Sequence, residues 1–198
     1  MISLPVYPYE LALENKTGDA RIAAFIDQTG AIKEVKVLEA SHPDFGESAK
    51  AMLRNWKIRP ALKDGKPIAI QFNHKHEFNW RARDNSISEE TDVAIRNIKS
   101  YPERIVDFDK LDARPKLLYQ PQPVDPRTVS VADAPPDKIQ IEFIIDREGS
   151  VQLPRIISAT NTDLAWSIMT AMNRWLFEVP KAKGEAVFAR RQMMFEYH

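Results

Sequence analysis

His74 and His76 stand two residues apart in a strand-like run, so their imidazoles share a face and form a candidate metal-binding pair. Only His42 and His198 remain as further histidines, and the chain has no cysteine. A closed metal site usually needs four well-placed ligands, so the pair reads as strand residues and no metal or other cofactor is expected. Asp27 and Asp146 are candidates for acid–base chemistry. Each is followed three residues later by a glycine, Gly30 or Gly149, and that pattern is turn chemistry. Arg190-Arg191 with Lys181 and Lys183 make a small basic group, read as a solvated face. Trp56 and Trp175 are candidate ligand anchors, but they lie on helical apolar stripes, and large aromatics dominate small cores. No Ser–His–Asp or Cys–His arrangement, phosphate-cradling glycine loop or metalloprotease motif appears. No catalytic residue is assigned, and a binding protein is expected rather than an enzyme.

The elements that carry these residues occur twice. Asp27 and Asp146, Gly30 and Gly149, and Trp56 and Trp175 are each 119 positions apart. Solenoid units repeat every ~20–50 residues, so a period of this length marks a duplicated domain. At 198 residues the chain fits one large domain or two small ones, and the repeat decides for two. The expected boundaries are 1–80 and 113–198, joined by 81–112. The 28 basic residues balance the 28 acidic ones, so no overall field favours nucleic acid or an anionic membrane. Without cysteine, disulfides and thiolate zinc sites are excluded.

In the first copy Ala20, Ile22, Ala24 and Ile26 alternate along a strand, as Ile139, Ile141, Phe143 and Ile145 do in the second. The Asp27–Gly30 turn leads into a second strand as a hairpin. There Ile32, Val35 and Val37 break period-two parity and predict a bulge, and Pro154 at the position of Val35 agrees. Phe45, Ala49, Met52, Leu53 and Trp56 form a helical stripe that recurs as Leu164, Ile168, Ala171, Met172 and Trp175, with Asn161 or Thr162 as N-cap. Pro60 and Pro180 end the helical segments, and Gly65 and Gly184 turn into last strands at Ile68–Trp80 and Ala186–Tyr197. Each copy therefore reads strand, strand, helix, strand: an α+β fold with the helix on one face of a small antiparallel sheet. Before the first strand, Tyr9–Lys16 reads as a short helix broken by Gly18. Between the copies, Ser86-Ile87-Ser88-Glu89 has a capping-box pattern. Ile87, Thr91, Ala94, Ile95 and Ile98 then make an apolar stripe that should pack on one copy or hold the two together.

These motifs resemble a known family. Tyr7-Pro8, Phe25 to Gly30, Ile32 to Glu39, Trp56-Lys57-Ile58-Arg59-Pro60-Ala61 and Asp64-Gly65-Lys66-Pro67 look like the C-terminal domain of TonB energy-transducer proteins. The match covers nearly all of 5–79. The second copy is more diverged: Asp125-Pro126 stands in place of Tyr-Pro, although Gln120-Pro121-Gln122-Pro123 resembles the segment that leads into the family's domain. The resemblance implies a periplasmic domain that binds the N-terminal peptide of outer-membrane transporters. The peptide adds as a strand beside the last strand, with main-chain hydrogen bonds giving affinity and alternate side chains giving selectivity. Carried onto this sequence, the candidate peptide-binding residues are Gln71, Asn73 and Lys75 on the first copy's last strand. Arg190 and Gln192 are their partners on the second, with Gln120 and Pro121 in the lead-in. Leu53, Trp56, Met172 and Trp175 are the expected core. The first copy's edge, with charges only at Lys75 and Glu77, is expected to be the better acceptor.

The alternative is a scaffolding envelope protein whose sheet edges mediate homodimerisation, and the state of the last-strand edges separates the two. No apolar run approaches the ~20 residues that span a bilayer, and Met1-Ile2-Ser3-Leu4-Pro5 has no secretory-signal pattern. The chain is expected to be cytoplasmic if Met1 is its native start. Otherwise it is expected in the periplasm, tethered to the inner membrane by a segment outside this sequence.

Overall fold

A computed structural model describes residues 4–79, 88–127 and 135–197. In chain order the first half holds α1 (Tyr9–Leu13), β1 (Gly18–Ile26), β2 (Ile32–Ala40), α2 (Pro43–Arg54), β3 (Ala61–Lys63), β4 (Lys66–Ile68) and β5 (Ile70–Phe78). A middle stretch gives α3 (Glu89–Ser100), β6 (Ile105–Asp107) and β7 (Leu117–Tyr119). The second half holds β8 (Asp137–Ile145), β9 (Val151–Ala159), α4 (Thr162–Met172), β10 (Leu176–Phe177), β11 (Lys181–Ala182), β12 (Glu185–Ala186) and β13 (Phe188–Tyr197).

Among the described residues the two larger sheets are ordered β2-β1-β5 and β6-β13-β8-β9, beside the two-stranded pairs β3-β4, β7-β10 and β11-β12. Apart from the parallel β6–β13 pair, the strands of both sheets pair antiparallel. This is the α+β arrangement expected of the alternating strands and striped helices. His42 caps α2 by accepting from the Asp44 amide, Pro43 sits in its first turn, and Phe45, Ala49, Met52 and Leu53 are buried. Asn161 caps α4 in the same way, accepting from the Leu164 amide.

Local geometry at positions 119 residues apart is alike at the turns. Asp27 Oδ1 accepts from the Thr29 and Ala31 amides, and Asp146 Oδ1 accepts from those of Glu148 and Ser150. The Thr29 hydroxyl donates to the same Asp27 oxygen, and this bond above all holds the Asp27 carboxyl below the usual carboxylate range. Gly30 (φ +86°) and Gly149 (φ +90°) close these turns against the carbonyls of Ile58 and Phe177, again 119 positions apart. Both second strands are bulged. Along β2 the register slips opposite Arg21/Ile22 and Phe25/Ile26. In β9, Leu153 (φ +49°) and Pro154 oppose Phe143 alone.

The two cores are not sealed off from one another. One cluster joins Leu11, Phe45 and Met52 to Ala94, Ile95, Ile144, Leu153 and Phe188. The other joins Val6 and Ala51 to Phe143, Leu164 and Trp175. α2 packs on α4, with Lys50 and Arg54 both paired to Asp163 at 2.6 and 3.1 Å. The stripe of α3 is thus buried between the halves, and Thr91 bonds to Gln152 at 2.6 Å.

Several boundaries differ from the sequence reading. The N-cap of α3 is Ser88, which forms a capping box with Thr91; Ser86 and Ile87 lie outside the described residues. α1 ends at Leu13 and the chain turns away at Asn15 (φ +54°), ahead of Gly18, which instead opens β1. The first copy's last strand starts at Ile70, because Ile68 pairs with Ala61 in the β3–β4 hairpin; Trp80 lies outside the described residues. Trp175 is 2% exposed, as expected of a core residue, whereas Trp56 is half-buried at the core's rim. Arg190 and Arg191 are not a solvated face. Both are half-buried, and the Arg191 guanidinium lies 4.2 Å from the centre of the Phe108 ring.

Candidate peptide-binding edge

β5 is an edge strand along its whole length, bonded to β1 on one side and to no described strand on the other. The direction of its free main-chain groups follows from β1. Asp19 O accepts from the Ser41 amide and Asp27 N donates to Ala31 O, each at 2.9 Å. The odd residues of β1 therefore bond to β2 and the even ones to β5, since antiparallel strands alternate in this way. Ile26, Ala24 and Ile22 lie opposite Ile70, Phe72 and His74. The amides and carbonyls of Gln71, Asn73, Lys75 and Glu77 accordingly point outward, toward any strand added there. Gln71 and Asn73 are two apart and share this direction.

The side chains divide by the same parity. Gln71, Asn73, Lys75 and Glu77 are exposed on the solvated face, with Lys75 bridging Asp19 at 2.9 Å and Glu77 at 3.2 Å. The Asp19 hydrogen bond, then that from Glu77, raises the Lys75 pKa above its ordinary value. On the helix side Ile70, Phe72, His74 and His76 are half-buried and Phe78 is buried. Trp56 packs edge-on to His74 at 4.9 Å between ring centres, and His76 packs edge-on to Phe78 at 4.8 Å. Burial lowers the pKa of His74. Burial first, and then the neighbouring His74, pushes His76 down to about 4. An incoming strand would thus meet an aromatic row on one face and a polar row on the other, the alternation that strand addition reads.

The other assigned residues lie elsewhere. Arg190 and Gln192 are on β13, 119 positions after Gln71 and Asn73. Asp146 N donates to Ser150 O and Thr160 N to Lys138 O, so even residues of β8 face β9 and odd ones face β13. On β13 the main-chain groups of Arg190, Gln192, Met194 and Glu196 therefore point outward. At Arg190 that side is taken, because β6 pairs with Phe188–Arg190. The Gln192 side chain bonds inward to Glu142 at 2.8 Å. Gln120 is exposed, and the Pro121 carbonyl accepts the Trp175 indole N–H at 3.3 Å. The peptide-binding assignments thus separate into three places: Gln71, Asn73 and Lys75 stand together on the β5 edge, which no described strand covers, while the β13 edge is covered at Arg190 but not at Gln192. Sequence reasoning missed the three-residue β6, which has no turn signal and no periodicity long enough to read. It also missed a cavity of about 830 Å3 between the halves, lined among others by Val6, Tyr7, Lys57, Val151, Leu153 and Arg174.

Comparison with known proteins bears on the first half. The family described as Gram-negative bacterial TonB protein C-terminal matches residues 3–81, less than half of the chain. The solution NMR structure of the Pseudomonas aeruginosa TonB CTD is similar at 24% identity, with a TM-score of 0.34, over 44% of this chain and 88% of that one. No curated protein matches the chain. The family match is confined to residues 3–81, and the second half lies outside it.

Proposed function

We propose that this chain is a protein-binding module of the cell envelope in which the β5 edge of the first half captures extended peptides of outer-membrane transporters by strand addition, in support of energy-coupled transport. The observation that carries this reading is the edge itself. Nine residues, Ile70–Phe78, present their outward main-chain groups to no described strand, within the part of the chain that matches the TonB family. The peptide would lie against Gln71, Asn73 and Lys75 and run past the aromatic row on the helix side. A periplasmic location belongs to the same reading; among the described residues no helix is long and apolar enough to cross a membrane.

Tandem copies at 1–80 and 113–198, linked by 81–112, are part of this proposal. They are supported by the matching aspartate cages and glycine contacts, although α3 and β6 of the link are built into the cores. The second copy acts as support: β6 occupies the start of its edge, the arrangement expected of a scaffold rather than an acceptor. The test is titration of a labelled transporter N-terminal peptide against wild type, Gln71→Pro and Asn73→Pro. Proline removes an outward donor from an edge where no fold hydrogen bond is lost, so both variants should bind more weakly while circular dichroism stays native. Equal affinity in all three would remove β5 from the binding site. A β5-dependent dimer that competes with the peptide would favour self-association through this edge.

A further inference from the structure

One position of α3 carries a polar side chain where its neighbours Ala94, Ile95 and Ile98 pack into a core. Asn97 is 4% exposed, yet its side-chain amide makes no hydrogen bond with a described residue. A buried amide that gives up water without gaining a partner is destabilising, so such a group calls for a physical reason. Asn97 lines a cleft of about 380 Å3 where α3, the helical turn Pro102–Arg104, β6 and the start of β13 meet. That volume is at the small end of the range for ligand sites. It has room for one small molecule rather than a peptide.

The apolar wall of the cleft is Val93, Val106, Val187 and Phe188, and Glu103, Arg104 and Arg147 also line it. Arg147 is held in place. Its Nε and Nη2 donate to the Glu90 carboxylate at 3.3 and 2.6 Å, and its guanidinium carbon lies 5.2 Å from the centre of the Phe188 ring. Its Nη1 makes no hydrogen bond with a described residue. The Arg104 guanidinium lies 4.2 Å from the centre of the Tyr101 ring. Neither Arg104 nor Glu103 makes an ion pair with a described residue.

We infer that this cleft, with a valine wall, a buried amide and an unpaired Glu103–Arg104 at its rim, binds a free α-amino acid with a branched aliphatic side chain. Charge selects the class. Arg104 and Arg147 balance Glu90 and Glu103, so a net-neutral zwitterion suits the cleft better than an anion or a cation. The ligand carboxylate goes to Arg104 and to Arg147 Nη1, and the ammonium goes to Glu103. The Asn97 amide, which can both donate and accept, completes the hydrogen bonds. The side chain lies on the valines and Phe188, the combination of apolar wall and few placed polar groups that small-molecule sites use. β5 contributes nothing to the cleft, so this inference stands apart from the peptide-binding reading.

The probe is L-leucine, titrated through the millimolar range into the full 198-residue protein. The Asn97 side-chain amide and the methyl groups of Val93, Val106 and Val187 are followed by NMR. Saturable shifts should concentrate at these groups. Isocaproate, which lacks the ammonium, and isoamylamine, which lacks the carboxylate, should each bind about fivefold more weakly, the scale of one partly exposed charge contact. Arg104→Gln should weaken leucine by a similar factor, and Glu103→Gln should abolish the preference for leucine over isocaproate. Both positions are exposed, so the thermal midpoint should stay at the wild-type value and a loss of binding is not a loss of fold. Gln71→Pro, which reports on the β5 edge, should leave leucine affinity unchanged. Absence of saturable shifts at Asn97, equal binding of the three compounds, or unchanged leucine affinity in Arg104→Gln overturns the proposal.

Discussion

Replacing each repeat tryptophan by alanine separates the two halves energetically. Trp175 is 2% exposed, packs 6.0 Å from Phe195 and 6.4 Å from Phe177 between ring centres, and donates to Pro121 O. Truncating a buried tryptophan costs about 3–5 kcal/mol, and the lost hydrogen bond adds about 1 kcal/mol. Trp56 is half-buried at the rim of its core, against Phe72 and His74, so Trp56→Ala should cost about half as much. Domains of this size are stable by about 5–15 kcal/mol. Trp175→Ala should therefore remove a large share of the total and lower the thermal midpoint by roughly 10 °C or more. Urea and thermal unfolding followed by far-ultraviolet circular dichroism measures this without relying on the fluorophore that is removed. Because each core contains residues of the other half, both variants should unfold in one transition. Equal losses for the two variants, or a Trp175→Ala midpoint within 2 °C of wild type, would refute the burial argument.

Other expectations follow from individual sites. His76 is held at about 4 and His74 is also lowered, mainly by burial. The unfolded imidazoles take up protons first, so the stability of the neutral pair is present above about pH 6.5 and is lost as pH falls toward 4. His76→Gln should flatten the fall in urea midpoint between pH 6.5 and 5, and an unchanged slope would refute this. Asp163→Asn leaves Lys50 and Arg54, both only 16% exposed in their side chains, without their shared carboxylate. Asp163 itself is 38% exposed, so after solvent screening the expected cost is about 1–2 kcal/mol by chemical denaturation. Gly30→Ala and Gly149→Ala each combine positive φ with a Cβ driven into a carbonyl. Each should destabilise by at least about 1 kcal/mol, and a neutral result at either would break the correspondence between the turns.

The sequence made legible whatever repeats with a period or a turn signature. The stripes of α2 and α4, the Asp-x-x-Gly turns and the bulge at Pro154 all rest on local chemistry, which the sequence states directly. The misread boundaries share another cause. Ser88 caps α3 because Thr91 can return the capping bond, and the chain turns out of α1 at Asn15, before Gly18, because asparagine tolerates left-handed backbone. Trp56 and Trp175 occupy the same place on their stripes, yet differ in burial. The Trp175 indole is covered by the lead-in through Pro121, and coverage by a distant segment leaves no periodicity. The open state of β5 and the covering of the start of β13, Phe188–Arg190, by β6 were illegible for the same reason, since both depend on long-range pairing.

The closure itself can be argued physically. Two small sheets in one chain present two last-strand edges, and an unpaired edge invites aggregation unless it is covered or put to use. At Arg190 the outward amide and carbonyl are met by β6, and Arg191 lies across the Phe108 ring. A short pairing is thus fastened by a cation–π contact that adds about 0.5–2 kcal/mol. At the equivalent Gln71 nothing described meets the same groups, and neighbouring protection comes only from the Asp19, Lys75 and Glu77 charges on the solvated face. Charges on the face discourage stacking of sheets but leave the row of main-chain donors intact. An extended peptide can still add there, while a second flat sheet is turned away. Covering β5 with a strand like Ile105–Asp107 would cost little in fold stability and would remove that capacity, so the difference between the two edges carries the functional reading.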